Sequence, residues 1–157
     1  MYLSKVSVRN FRNLKDLTVK LRAGLNVIVG ENNVGKTNLL DAIRVALGSA
    51  SSGEPVRLAK EDRHRNPDGT WEDPIRIDLV FDGLTPDEQA EFLDALDFDA
   101  ADPARSTASI HYEWSWSDAT KRWTSRRWGG DRANRLRHGC RSPSTAHGRA
   151  DEPEGGS

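Results

Sequence analysis

The sequence predicts an α/β fold with an antiparallel β portion and a disordered C-terminal tail, and three observations carry that reading. Residues 24–40 pass from an uninterrupted apolar run through a glycine-rich loop into a helical period. Segments on either side alternate apolar and polar residues, as half-buried strands do. From Gly129 to Ser157 almost nothing apolar remains, and Arg, Ser, Gly and Pro dominate.

Val6 and Val8 alternate with Lys5, Ser7 and Arg9, and after "FRNLKD" a second alternation sets Leu17, Val19 and Leu21 against Thr18, Lys20 and Arg22. Two half-buried strands around a short connection are expected. In "GLNVIVG", Gly24 to Gly30, the residues Val27, Ile28 and Val29 have no polar interruption, which suits a central strand covered on both faces. From Thr37 the period turns helical, with Leu39, Leu40, Ile43 and Leu47 on one side, Asp41 and Arg44 on the other, and Gly48 placed to end the helix. Residues 49–74 lack sustained periodicity and carry the turn pair Asp68-Gly69, so they read as mostly loop. "IRIDLVF" at 75–81 alternates as a strand. A helix follows, with Thr85 as N-cap, Pro86 at its first position, Glu88 closing a capping box and Phe92, Leu93 and Leu96 as its apolar stripe. Ile110, Tyr112, Trp114 and Trp116, then a polar turn at 117–120, then Trp123, predict a hairpin. The expected division is a folded lobe over 1–128 and a tail over 129–157. The abrupt change suggests a chain that leaves its domain early, as a truncated or frameshifted reading frame would.

Composition narrows the function. The 157 residues are 36% hydrophobic and 30% charged, so the core must come mainly from the first hundred. With 23 Lys and Arg against 24 Asp and Glu, the net charge of −1 gives no global field toward nucleic acid, and any such contact must be local. The single Cys140 excludes an internal disulfide and a multi-cysteine zinc site, favouring a reducing compartment, with cytoplasm the expected location. No stretch reaches the roughly 20 apolar residues of a membrane span, so no membrane partner is expected.

One motif carries chemistry. Gly30-Glu31-Asn32-Asn33-Val34-Gly35-Lys36-Thr37 fits G-x-x-x-x-G-K-[ST], the phosphate-binding P-loop, with strand, loop and helix expected in the required order. Such a loop curls so that successive backbone N–H groups point at a phosphate, and glycine at 30 and 35 admits dihedrals and approaches that a Cβ would obstruct. The helix start presents its unpaired N–H groups to the same anion. Lys36 adds a mobile charge able to reach the β- and γ-phosphates, and Thr37 is placed to hold Mg²⁺ through its hydroxyl.

Other candidates are weaker. "IDLVFDG" ends in Asp82 as a magnesium-supporting strand would, but Arg76 and Asp78 alternate with its apolar residues, which favours a strand with one wet face. "RRWGGDR" shares only Gly129-Gly130 with the serine-glycine-glycine signature of ABC-type ATPases. The Trp, Arg and Lys residues of 112–128 could stack on single-stranded nucleic acid, although cross-strand Trp pairing is the commoner use. His111, His138, His147 and Cys140 show no ligand spacing.

"VSVRNFRNLKDLTVKLRAGLNVIVGENNVGKTNLLDAIRVALG" resembles the N-terminal ATPase segment of the OLD (overcoming lysogenization defect) family endonucleases, related to the RecF and SMC-type ABC ATPases. The likeness covers roughly residues 1 to 48; "NFRNL", Asn32-Asn33 and Thr37-Asn38 support it beyond the bare loop. It implies a P-loop NTPase lobe of ABC-ATPase type binding ATP and Mg²⁺. By the same resemblance Arg12 and Asn13 lie near the nucleotide and Asn38 helps hold the α-phosphate. It further implies a homodimer or association with a missing C-terminal half, DNA contact through the full-length assembly, and a Toprim nuclease domain that this sequence lacks. Some relatives of that family act in defence against phage. The sequence leaves two alternatives: a non-catalytic fragment that binds protein or nucleic acid, and a small P-loop kinase, for which no acceptor-site or lid pattern is evident.

Overall fold

The structure, a computed structural model, describes residues 1–31, 34–48 and 58–130. Readings that fall on 32–33, 49–57 and 131–157, including Asn32, Asn33, His138, Cys140, His147 and nearly all of the tail, lie outside the described residues.

Strand β1 (Tyr2–Phe11) pairs antiparallel with β2 (Leu14–Lys20), the register Phe11↔Leu14 leaving Arg12 and Asn13 as a two-residue turn. On its other side β1 meets β3 (Ile75–Asp82), which pairs with β5 (Thr107–Ser117), and both contacts are antiparallel. The two-residue β4 (Leu96–Asp97) and β6 (Arg122–Gly129) both pair with β5, completing a six-stranded sheet. The alternation read from the sequence decides which face is buried. Val6, Val8, Ile75, Ile77, Leu79, Tyr112 and Trp114 turn inward, while Lys5, Ser7, Arg9, Asp78 and His111 lie on the opposite face. Each fully buried Val or Ile contributes about 1.5–3 kcal/mol.

Helix α1 (Lys36–Leu47) packs on the inner face through Leu39, Ala42, Val45 and Ala46. Gly48 ends it with φ 62°, its N–H bonding back to Arg44 and Val45 carbonyls, as expected for a left-handed C-cap. The expected apolar side, however, is divided: Leu39 is buried, whereas Leu40 and Leu47 face solvent. The helix has two apolar faces, and the antiparallel sheet covers only one.

The expected central strand at 24–30 is not formed. Residues 25–30 belong to no strand, and Leu25, Val27, Ile28 and Val29 are 91%, 73%, 44% and 85% exposed. Locally the chain is shaped by Asn26, whose side chain accepts from the Arg22 N–H and donates to the Arg22 and Gly24 carbonyls. A strand exists only with a hydrogen-bonded neighbour. Among the described residues none lies beside this run.

Helix α2 (Pro86–Glu91) starts as its sequence predicts, with Thr85 Oγ1 accepting from Glu88 N–H and the Glu88 carboxylate accepting from Thr85 N–H. It stops after six residues. Residues 93–95 form a 3₁₀ turn and Leu96 pairs with Ala108, so the expected stripe of Phe92, Leu93 and Leu96 does not form and Leu93 is exposed. Gly129 admits this turn: a Cβ there would lie 2.6 Å from Ala95 Cα.

The hairpin forms, and its tryptophans pair across strands. Trp114 and Trp123 stack with centroids 4.1 Å apart, and Trp116 meets Trp123 edge-on at 5.7 Å. Arg63 lies over both Trp123 (4.8 Å) and Trp71 (5.1 Å), pinning the 58–74 segment to the hairpin. Strand β6 runs through Gly129, and the Gly130 N–H donates to the Ser109 carbonyl, so the sheet ends just inside the expected tail.

Candidate phosphate-binding site

The end of the glycine-rich loop and the start of α1 rest on the β1–β2 turn. Gly35 is the N-cap of α1 with φ 104°, a left-handed conformation suited to glycine. A Cβ at this position would stand 2.8 Å from Leu14 Cδ2 and 2.9 Å from Asn13 Oδ1, so the turn needs glycine for space as well as for dihedral. Gly30 is less confined, an added Cβ meeting Val34 Cγ2 at 3.1 Å.

No side chain caps the N-terminus of α1, and its first turn holds no acidic residue. The first intrahelical main-chain bond there is from Leu39 N–H to Gly35 carbonyl, so the N–H groups ahead of it form the usual uncapped positive helix end. Lys36 Nζ folds back over the loop, donating to the Gly30 carbonyl at 2.5 Å and the Glu31 carbonyl at 2.6 Å. Thr37 is exposed on the first turn, as are Glu31 and Val34. An uncapped helix start with one lysine folded beside it suits an anionic group such as a phosphate in charge.

The structure places Arg12, Asn13 and Asn38 beside this loop and brings them together. Asn38 Nδ2 donates to Asn13 Oδ1 at 2.8 Å, and Asn38 Oδ1 accepts from Arg12 Nη1 at 3.0 Å. Arg12 also donates to Asp41 Oδ2 at 2.6 Å and to Asp62 Oδ1 at 2.8 Å. Burial alone would lower the Arg12 pKa, but the bonds to Asp62 and then Asp41 outweigh it, and the net shift is upward. Arg12 thus ties the β1–β2 turn to α1 and to the 60–62 turn, and its charge is already matched by two carboxylates. His64 reinforces the junction through Nδ1, 2.8 Å from the Arg12 carbonyl.

Asp41, Asp62 and His64 were not singled out by sequence. For Asp41 a signal existed, three residues beyond Asn38 on one helix face; Asp62 and His64 lie in a segment without periodicity. Among the described residues no group of three or more His, Cys, Asp or Glu side chains is placed to hold a metal ion. Asp82, at the end of β3, belongs to a strand whose two neighbours are both antiparallel. His111 Nδ1 lies 2.6 Å from Asp78 Oδ1 with its ring stacked on Trp128, on the sheet face away from α1.

The chain is 40% identical over 70 residues to the DNA replication and repair protein RecF of Acetivibrio thermocellus, covering 45% of this chain and 18% of that protein. It is 38% identical over 82 residues to the DNA double-strand break repair Rad50 ATPase of Pyrococcus abyssi, covering 52% and 9% respectively. It therefore spans less than a fifth of either relative. A solved structure from work on the structural biochemistry of ATP-driven dimerization and DNA-stimulated activation of SMC ATPases superposes with a TM-score of 0.55 at 19% identity, covering 83% of this chain and 71% of that one. That likeness shows the fold: a mixed α/β lobe with an antiparallel sheet. No helix among the described residues is long and apolar enough to cross a membrane. The family profile of the AAA ATPase domain matches residues 1–128, and the chain belongs to that family.

Proposed function

We propose that this chain binds ATP with Mg²⁺ at Gly30–Asn38, as the N-terminal segment of an OLD-type, RecF-related ATPase associated with DNA cleavage or repair. The observation that carries the proposal is the uncapped start of α1 at Gly35, with Lys36 poised on the Gly30 and Glu31 carbonyls. In the bound state Lys36 exchanges those two carbonyls for phosphate oxygens, and the first-turn N–H groups of α1 donate to the same anion. The Thr37 hydroxyl, exposed on the first turn of α1, would hold Mg²⁺, which would supply charge neutralisation on the phosphates. Asn38 and Asn13 brace the loop's second limb, and Arg12 donates to Asn38 directly while pairing with Asp41 and Asp62. The OLD assignment rests on "NFRNL", on the Asn pair inside the loop and on Thr37-Asn38 after it. A Toprim reading frame downstream of the gene is its test.

In this reading the ATPase lobe is 1–128, the location is cytoplasmic, and hydrolysis and nuclease chemistry come from parts outside this chain: a second copy, or a separate C-terminal half that also brings DNA. Titration with a fluorescent ATP analogue, with and without Mg²⁺, tests the site. Thr37→Ala weakens the magnesium dependence of binding; equal dependence in wild type and variant removes Thr37 from the metal. The second reading, a non-catalytic interaction fragment, is favoured by the exposed run at 25–29. Absence of any nucleotide binding in the same titration selects it.

A further inference from the structure

We infer that the inner face of the β5–β6 hairpin, beyond the C-terminal end of α1, is a binding groove for single-stranded nucleic acid. The groove stands apart from the phosphate-binding loop, and the inference does not rest on the nucleotide reading.

The groove, about 540 Å³ in volume, lies between the C-terminal end of α1, residues 58–60 and the hairpin. That volume is within the range of sites that take planar ring systems. Tyr112, Trp114 and Trp123 form its aromatic wall, Lys60 and Arg127 bring positive charge, and Ser125 adds a hydroxyl. Among the described residues that line it there is no carboxylate. The 12 residues of α1 run from the glycine-rich loop to this groove and hold the two sites about 18 Å apart.

The hairpin tryptophans divide between two uses. Trp114 and Trp123 are engaged in cross-strand stacking, with centroids 4.1 Å apart. Trp116 sits edge-on to Trp123 at 5.7 Å and remains 42% exposed. Trp71, reached from Trp123 across the Arg63 guanidinium, remains 41% exposed, and Arg65 lies 5.6 Å from its ring. Aromatic rings thus alternate with guanidinium groups along one surface, and two indoles keep area that packing within the lobe does not use. The nearby acids are already paired, Asp73 with Arg63 and Asp118 with Lys121 and the Trp116 indole N–H.

Bases stack on such rings whatever their sequence, while Lys and Arg follow the phosphates. A duplex offers no unstacked base, and a free mononucleotide occupies one ring of a surface that carries several. A polyproline segment also fits an aromatic groove, but it brings no negative charge to answer Lys60, Arg65 and Arg127. With a net charge of −1 on the whole chain, attraction must come from this local patch.

The test is fluorescence anisotropy of the full chain with a labelled oligothymidine of about 12 nucleotides at low salt, beside a duplex of equal length and a proline-rich peptide. The single strand binds, the duplex binds more weakly, and excess Mg-ATP does not displace the strand. Trp116→Ala and Trp71→Ala each weaken binding roughly 5- to 150-fold, Trp116→Phe retains most of the affinity, and all three keep the wild-type circular dichroism spectrum. Lys60→Gln reduces the slope of log affinity against log salt by about 0.7. No binding of the single strand, equal or tighter binding of the duplex, displacement by ATP, binding of the peptide alone, or folded Trp116→Ala and Trp71→Ala variants with wild-type affinity would each overturn the groove. Binding of the oligonucleotide by a chain that does not bind ATP removes the nucleotide reading and leaves the groove standing.

Discussion

Replacing Arg12 by alanine tests how the loop is supported. The Arg12 guanidinium donates to Asp41 at 2.6 Å, Asp62 at 2.8 Å and Asn38 at 3.0 Å. A well-buried hydrogen bond to a charged group is worth about 1.5–3 kcal/mol, an exposed ion pair about 0.2–1 kcal/mol. The Arg12 side chain is 34% exposed and those of Asp41 and Asp62 are 23% and 18%, which places each carboxylate contact between these limits, near 1 kcal/mol. Arg12→Ala should therefore lose about 2 kcal/mol, roughly a thirtyfold shift in the folding equilibrium. Arg12 also sits at φ 49°, where a residue with a Cβ carries a cost of about 1 kcal/mol that glycine avoids. Arg12→Gly should consequently be about 1 kcal/mol more stable than Arg12→Ala, although both lose the same contacts. Urea denaturation reads both through the midpoint at constant m-value. An Arg12→Ala variant within about 0.5 kcal/mol of wild type, or a glycine variant no better than alanine, refutes the reasoning.

Gly35→Ala should displace Asn13 and Leu14, lowering stability by about 1–3 kcal/mol and weakening nucleotide binding, since both its φ of 104° and the 2.8 Å approach to Leu14 forbid a Cβ; normal stability and affinity contradict this. Gly129→Ala should cost about 1–3 kcal/mol, because its clash is with the Ala95 backbone, and should speed amide exchange where Leu96 pairs with Ala108. Brief proteolysis should remove residues beyond Gly130 before any cut inside 1–48, on the tail's composition. The isolated chain should neither release phosphate from ATP nor nick plasmid DNA with Mg²⁺ or Mn²⁺, using Lys36→Ala as the contamination control. The acids at 97, 99 and 102 have local tasks: Asp97 accepts from Ser109 Oγ, Asp99 from the Ala101 and Asp102 N–H groups, and Asp102 from Ala104 N–H. Activity that disappears in the mutant would mark a missed catalytic acid, with Asp82 the first candidate.

What could be read from the sequence was what local chemistry determines. Period-two alternation located β1, β2, β3 and the β5–β6 hairpin; Gly48 marked the end of α1, and Thr85 with Glu88 marked the start of α2. Three features depend on partners distant in sequence. The run at 25–29 has strand composition, but strand geometry requires a neighbour that the described residues do not supply. Two overlapping apolar stripes on α1 cannot be ranked without knowing which layer is present, so Leu40 and Leu47 were grouped with Leu39 although only Leu39 is buried. Helix α2 ends at Glu91 because pairing of Leu96 with Ala108, and the fit of Ala95 over Gly129, prevail over helical period. At the site, motif spacing is what points to the loop residues 30–37. The carboxylates that hold Arg12 are separated from it by 29 and 50 positions, and no spacing rule connects them.

The central claim is that Lys36 serves a nucleotide phosphate, and the affinity of Mg-ATP for wild type against Lys36→Ala tests it most directly. A hydrogen bond to a charged group contributes about 1.5–3 kcal/mol and each 1.4 kcal/mol is tenfold in affinity, so the account predicts a dissociation constant raised roughly 10- to 150-fold, with the fold intact by circular dichroism. An unchanged dissociation constant in a folded variant would take Lys36 out of the site and contradict the account.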